Sequence, residues 1–199
     1  MPDPGSMCLM GAALGASLKL VDDIYDESLL GGPGSHPSLL IQAVFVSVSV
    51  GLTHASPAWA LCATVSCMAC ALAGQMDEWV YLAVYLTSCT AAMTWARRGA
   101  YRFGMRELGL VLLAAGSLVS FVLWEQRAFD DQHPDVAYRR RKRRYRCGFA
   151  LVGFAWSALL VHHPQLLLKY MPHMGAATAS MAMASTAYMA TSAALLGVA

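Results

Sequence analysis

Residues 37–76, PSLLIQAVFVSVSVGLTHASPAWALCATVSCMACALAGQM, form a stretch of 40 positions without Asp, Glu, Lys or Arg. A soluble domain of this size could hardly bury so long an uncharged stretch. It is also too long for one membrane-spanning helix, which needs about 20 apolar residues. The tetrapeptide HASP at residues 54–57 supplies a polar, helix-breaking turn in its middle. The stretch therefore predicts a helical hairpin embedded in a membrane.

The composition of the whole chain agrees with this prediction. Of its 199 residues, 57% are hydrophobic and 13% charged, against about 45–50% and about 25% in a typical soluble domain. This composition argues against an ordinary soluble domain and favours an integral membrane protein whose main partner is membrane lipid. The net charge of +2 carries no signal for a nucleic-acid partner.

Cutting the chain at charges, prolines and histidines leaves seven apolar segments of about spanning length. We therefore predict an all-α fold, a polytopic membrane helical bundle of about seven spans forming a single transmembrane domain over residues 1–199. The predicted spans are residues 7–21, 39–53, 57–74, 79–96, 108–124, 147–161 and 175–198. The basic run RRRKRR at residues 139–144 is expected on the cytoplasmic side, which places the amino terminus outside. Asp3 and the absence of an early positive charge predict that the first span is not a cleaved signal peptide.

The acidic residues are distributed unevenly between the two predicted faces. Threading the seven spans places ten of the twelve carboxylates on one face and leaves Asp3 and Glu107 on the other. Carboxylates repel one another and contribute little to membrane insertion, so a cationic partner is expected there. The basic run or bound divalent ions could supply it.

The first acidic motif is LVDDIYDE at residues 20–27. On a helix its spacing places Asp22, Asp23 and Asp26 on one face, an array suited to Mg²⁺ and to the phosphate oxygens of a diphosphate. Lys19, one turn earlier, could contact the phosphate or pair with an aspartate. The alternative interpretation of the motif is a solvated acidic helix end before the glycine-rich loop at residues 31–34.

A second acidic motif, DQHPD, contains Asp131 and Asp135 and follows the fifth predicted span on the same face. Together the two motifs resemble the aspartate motifs of the UbiA superfamily of intramembrane prenyltransferases, NDxxD and DxxxD, which in that family are also separated by three spans. Relative to the family pattern, a span before the first motif is missing, Asp22 replaces an asparagine, and Leu30 stands where a longer first motif has an aspartate.

The resemblance implies an enzyme that uses Mg²⁺ to bind an isoprenyl diphosphate and transfers the prenyl group. The implied metal ligands and catalytic residues are Asp22, Asp23, Asp26, Asp131 and Asp135. Lys19, Tyr25 and Arg139 would contact the substrate, and aromatic side chains such as Trp79 and Tyr81 could face an allylic carbocation, although such residues are more often interfacial anchors or packing.

Two other functions fit the sequence. The chain could be a non-enzymatic membrane subunit with protein partners in a larger complex. The small residues of 175–198 are interpreted as serving close helix packing, and they also motivate this hypothesis. It could also be a cation or solute carrier with an acidic vestibule, although the predicted spans contain few polar groups besides Lys19. The pair Cys67 and Cys70 is interpreted as packing residues, because no partner pair accompanies it.

Overall fold

The computed structural model describes residues 3–73, 76, 78–101 and 174–197, together with individual positions between 109 and 124 and between 155 and 162. Every regular element in these ranges is helical, which confirms the predicted all-α class for them. The α-helices whose two ends both lie within the described ranges are α1 (Pro4–Glu27), α2 (His36–Ala55), α3 (Pro57–Leu72), α4 (Trp79–Arg97) and α5 (Met174–Gly197). A short 3-10 helix, Leu29–Gly31, connects α1 to α2.

The predicted break within the long uncharged stretch is confirmed. Helix α2 ends at Ala55, Ser56 is extended with φ −142° and ψ 126°, and α3 begins at Pro57. The Ser56 side chain accepts a hydrogen bond from the backbone N–H of Trp59, as an N-cap residue does. Proline has no N–H to donate and suits the first turn of a helix, so the same two residues end one helix and begin the next.

Two side chains at and just beyond the carboxyl end of α4 hold the turn between α2 and α3. The Trp95 indole donates to the backbone oxygen of Thr53 over 3.1 Å, and the Tyr101 hydroxyl donates to that of Pro57 over 2.9 Å. Both acceptors lie near the turn between α2 and α3, and the Thr53 carbonyl belongs to the last turn of α2, where carbonyls lack an intrahelical partner. These bonds fasten α4 to the hairpin at the end of the bundle opposite the acidic motif.

Helices α1 and α5 approach so closely that their backbones touch at two glycines. A Cβ atom added to Gly11 would overlap the carbonyl oxygen of Ser180, and one added to Gly15 would overlap that of Ala184. The glycines are four residues apart and so are their partners, so each pair lies on one helical face. This is the small-residue packing predicted from the composition of residues 175–198, and the partner helix is α1.

The described helices turn many apolar side chains outward and many polar ones inward. On α2 and α4, for example, Leu40 and Leu86 are 67% and 56% exposed, whereas Gln42 and Ser88 are completely buried. Other buried polar residues of the described chain are Ser17, Lys19, Asp23, Ser38, Ser49, Thr53, Ser56, Ser180, Ser185 and Ser192. Water would disfavour so many exposed large apolar groups, whereas lipid would not.

In the described part of the chain, α2 alone has both the length and the hydropathy needed to cross a bilayer, with a mean hydropathy of 1.6. Helix α3 is apolar but has only 16 residues. The predicted span 108–124 is described only at separate positions, and most of the span 147–161 lies outside the described residues. One described helix is therefore long and apolar enough to cross a membrane, and the seven-span, multi-pass arrangement stays a prediction.

Candidate functional site

The first acidic motif lies at the carboxyl end of α1, where it meets parts of three other helices. The Tyr25 hydroxyl donates to the side-chain oxygen of Gln42 on α2 over 3.1 Å. The Tyr188 hydroxyl of α5 donates to Asp22 over 3.2 Å. From α4, Tyr81 is within electrostatic reach of Asp22. Polar groups of four helices thus converge at one end of the bundle.

Two acidic segments lie close together there, in agreement with the predicted sidedness. Glu78, immediately before α4, acts electrostatically on Tyr25, and the carboxylate of Asp26 acts on Tyr81. The end of α1 and the start of α4 therefore share one end of the bundle.

Lys19 is buried within α1 and forms two ion pairs. Its Nζ lies 2.7 Å from Oδ1 of Asp23 and 3.7 Å from Oδ2 of Asp22. The same ammonium lies 5.7 Å from the ring centroid of Tyr188, within the range of a cation–π interaction. The lysine side chain is 0% exposed. Of the two roles predicted for Lys19, pairing with aspartate is the one seen in the structure.

The three aspartates of the motif have different environments. Asp23 is 4% exposed and turned toward Lys19, the Asp22 side chain is 28% exposed, and Asp26 is exposed. Asp22 and Asp26 are one helical turn apart and lie on a common face, whereas Asp23 is rotated about 100° from Asp22. The helical placement of the motif is as predicted, but its carboxylates do not form one equivalent set.

A hydrogen-bonded chain fixes the loop that follows the motif. Gln42 accepts from Tyr25 and donates to the backbone oxygen of Pro33 over 2.9 Å. The Ser35 hydroxyl donates to the backbone oxygen of Leu30 over 2.7 Å. The glycine-rich segment between α1 and α2 is thereby tied to the end of α1, so it is part of the site and not a separate linker.

Sequence reasoning missed two residues of this site, Gln42 and Tyr188. Each had a visible signal. Gln42 is the only side-chain amide in α2, and Tyr188 is the only aromatic residue in α5. A polar group in a membrane-type helix usually has a partner in the bundle interior, which both residues have here.

The carboxylates of α1 offer a partial fit to Mg²⁺. Among the described residues, no three His, Cys, Asp or Glu side chains are arranged to hold a metal ion. Mg²⁺ needs only one or two carboxylates, because it keeps several waters and takes substrate phosphate oxygens. Asp22 and Asp26 suit that donor set. Asp23 does not, because its Oδ1 is bound by the Lys19 ammonium.

The remaining predicted site residues, Asp131, Asp135 and Arg139, lie outside the described residues. Of the aromatic residues proposed to face a cation, Tyr81 packs edge-on against Phe45 with ring centroids 6.0 Å apart, and Trp79 is 56% exposed. Tyr81 and Trp79 thus occupy packing and surface positions, which are the more common use of such residues.

No matching protein family model, curated protein or solved structure was found for this chain. The function is therefore argued from its own residues.

Proposed function

We propose that this chain is a multi-pass membrane protein that binds an isoprenyl diphosphate together with Mg²⁺ and catalyses prenyl transfer. The observation that supports this function best is the convergence of four helices on the end of α1. There the half-buried carboxylate of Asp22 accepts a hydrogen bond from Tyr188, the carboxylate of Asp26 is exposed, and Tyr25 and Tyr81 lie at the same end of the bundle.

The membrane placement is supported by the outward-facing apolar side chains of the described helices. Large aliphatic residues are exposed along α2 and α4, and two thirds of the most apolar window of α2 is not buried by protein. Such a surface is stable when lipid covers it. An isoprenyl chain is also apolar, so a membrane-embedded protein would meet this substrate where it dissolves.

In this proposal the residues of α1 bind and orient the substrate headgroup. A bound Mg²⁺ would neutralise negative charge on the departing diphosphate. Asp22 and Asp26 would hold it, and Tyr188 would fix the orientation of the Asp22 carboxylate through its hydrogen bond. Tyr25, itself anchored by Gln42, would contact the substrate at the same end of the bundle. Asp131 and Asp135 are proposed as the second acidic group, and Arg139 as a phosphate contact.

The carrier alternative gains little from the buried hydroxyls. Ser49, Thr53 and Ser185 each donate to a backbone oxygen three or four residues earlier in their own helices. Hydroxyls that are satisfied in this way add local polarity without offering a continuous set of ligands to a moving solute.

Binding of the diphosphate tests the proposed function directly. Detergent-purified protein is titrated by calorimetry with a non-hydrolysable geranylgeranyl diphosphate analogue, with and without Mg²⁺. We expect Mg²⁺-dependent binding to the unaltered chain and at least a tenfold loss with Asp26→Asn. Asp3→Asn is the matched control, because Asp3 caps the opposite end of the same helix.

Absence of Mg²⁺-dependent binding of the analogue to the folded, unaltered protein would contradict the proposed prenyl-transfer function. The outward apolar surface would then be better explained by a membrane subunit that packs against protein partners. A stable larger complex in mild detergent would identify that second function.

A further inference from the structure

The ion pairs of Lys19 divide the aspartates of α1 into two kinds. The ammonium is 1 Å closer to Asp23 than to Asp22, at 2.7 Å against 3.7 Å. The Lys19 and Asp23 side chains are 0% and 6% exposed. If Asp23 turned away to bind a metal ion, a lysine ammonium would remain buried with a weaker partner, which is strongly unfavourable.

Helix α5 contacts both Lys19 and Asp22 through one side chain. Tyr188 presents its ring to the Lys19 ammonium and its hydroxyl to Oδ2 of Asp22. One residue from another helix thus contacts both the lysine and the aspartate that is less tightly paired with it. The position of the ammonium is therefore fixed from two helices, and not by α1 alone.

We propose that Lys19 and Tyr188 are positioning residues that reserve Asp23 as a counter-ion, so that a divalent cation is bound by Asp22 and Asp26 alone. This inference rests on the proposed function, because it concerns the metal of that same site. Two carboxylates one turn apart satisfy the protein share of a Mg²⁺ shell. Asp23, although part of the same motif, holds the lysine in place and does not touch the metal.

A charge-neutral double substitution distinguishes a counter-ion from a metal ligand. Asp23→Asn alone leaves Lys19 with Asp22 as its remaining carboxylate, so the lysine competes with the metal there. We expect this variant to bind Mn²⁺, a spectroscopic substitute for Mg²⁺, about tenfold more weakly than the unaltered protein. Adding Lys19→Met removes the competing ammonium and should restore the affinity to within about threefold.

The measurement is the free Mn²⁺ signal in electron paramagnetic resonance during titration of detergent-purified protein, which requires no turnover. Asp26→Asn is the matched variant, since it makes the same chemical change three residues later, and it should lose binding without rescue by Lys19→Met. Tyr188→Phe should weaken binding by about threefold, because Asp22 loses its hydrogen bond. Helical circular dichroism of each variant confirms folding.

Two failures have separate meanings. If Lys19→Met does not rescue Asp23→Asn in folded protein, Asp23 is a ligand, so the division of roles is wrong while the diphosphate site remains. If the unaltered protein binds no Mn²⁺, the proposed function and this inference are both overturned.

Discussion

At the scale of single residues, the buried pair of Lys19 and Asp23 is the costliest feature to disturb. Neither side chain has appreciable contact with solvent. Removing one member of a buried ion pair leaves an uncompensated charge and typically costs about 3–5 kcal/mol, whereas replacing both by apolar groups is often neutral. The two residues must therefore change together if α1 is to keep its stability in the bundle.

We expect Asp23→Ala to lower the free energy of unfolding by about 3–5 kcal/mol, and the double variant Lys19→Met with Asp23→Leu to recover most of the loss. Asp26→Ala, at an exposed position of the same helix, should cost less than about 1 kcal/mol. Unfolding of the detergent-solubilised protein, followed by circular dichroism, measures these differences. Equal losses for Asp23→Ala and Asp26→Ala would show that the ion pair does not stabilise the fold.

The motif was predictable from the sequence, but the separate roles of its aspartates were not. Spacing along α1 shows that Asp22 and Asp26 share a face, yet it does not reveal which face meets α5. The hydrogen bond between Tyr188 and Asp22 joins residues 166 positions apart. That contact depends on how two helices pack, and local sequence patterns contain no information about it.

At the scale of helices, the contact between α1 and α5 depends on the absence of a side chain at two positions. The obstacle that a new Cβ would meet at Gly15 is the backbone carbonyl of Ala184. A backbone atom within a helix cannot move aside as the tip of a flexible side chain can. The two helices would have to separate along this line.

We expect Gly15→Ala to destabilise the protein by about 1–3 kcal/mol, the usual cost of overpacking. Gly175→Ala on α5 is the control, because a Cβ atom added there would meet no atom of the described residues within 4 Å. Alanine favours a helix over glycine by up to about 1 kcal/mol, so this variant should be neutral or slightly more stable. Parallel unfolding titrations of the two variants measure these changes in the free energy of unfolding. Stabilisation by Gly15→Ala would contradict the close approach of α1 and α5.

Helix boundaries were predictable where proline and capping serine interrupt the chain, and less so where only charge marks an end. The break at Ser56 and Pro57 lies where the sequence predicts it. The first span is predicted over residues 7–21, whereas α1 runs from Pro4 to Glu27. Lys19 and the acids indicate a boundary by their charge, but the helix continues through them because the lysine pairs with the aspartates one turn later.

At the scale of the whole molecule, the outward apolar and inward polar side chains determine which solvent suits the described bundle. Leu86 on α4 and Asp26 at the end of α1 are both left uncovered by protein. In water the two positions would have the same surroundings. In a membrane Leu86 faces acyl chains and Asp26 lies nearer the aqueous boundary.

Spin labels are attached to Leu86→Cys and Asp26→Cys, each introduced into a chain lacking its other reactive cysteines. After reconstitution into lipid vesicles, we expect the two labels to differ in their accessibility to oxygen and to a water-soluble relaxation agent. The Leu86 label should collide mainly with dissolved oxygen, which concentrates in acyl chains, and the Asp26 label with a water-soluble nickel chelate. Power-saturation measurements report both. Equal access of the chelate to both labels would contradict the membrane placement.

The backbone contact of Gly15 with Ala184, and the bond from Tyr188 to Asp22, also have a consequence for biosynthesis. When α1 leaves the ribosome, the helix that fits it most closely has not yet been made, and 166 residues separate the bonded pair. Contacts between distant parts of a chain form late. During translation α1 therefore lacks its contacts with α5, among them the Tyr188 ring over the Lys19 ammonium, until α5 has been made.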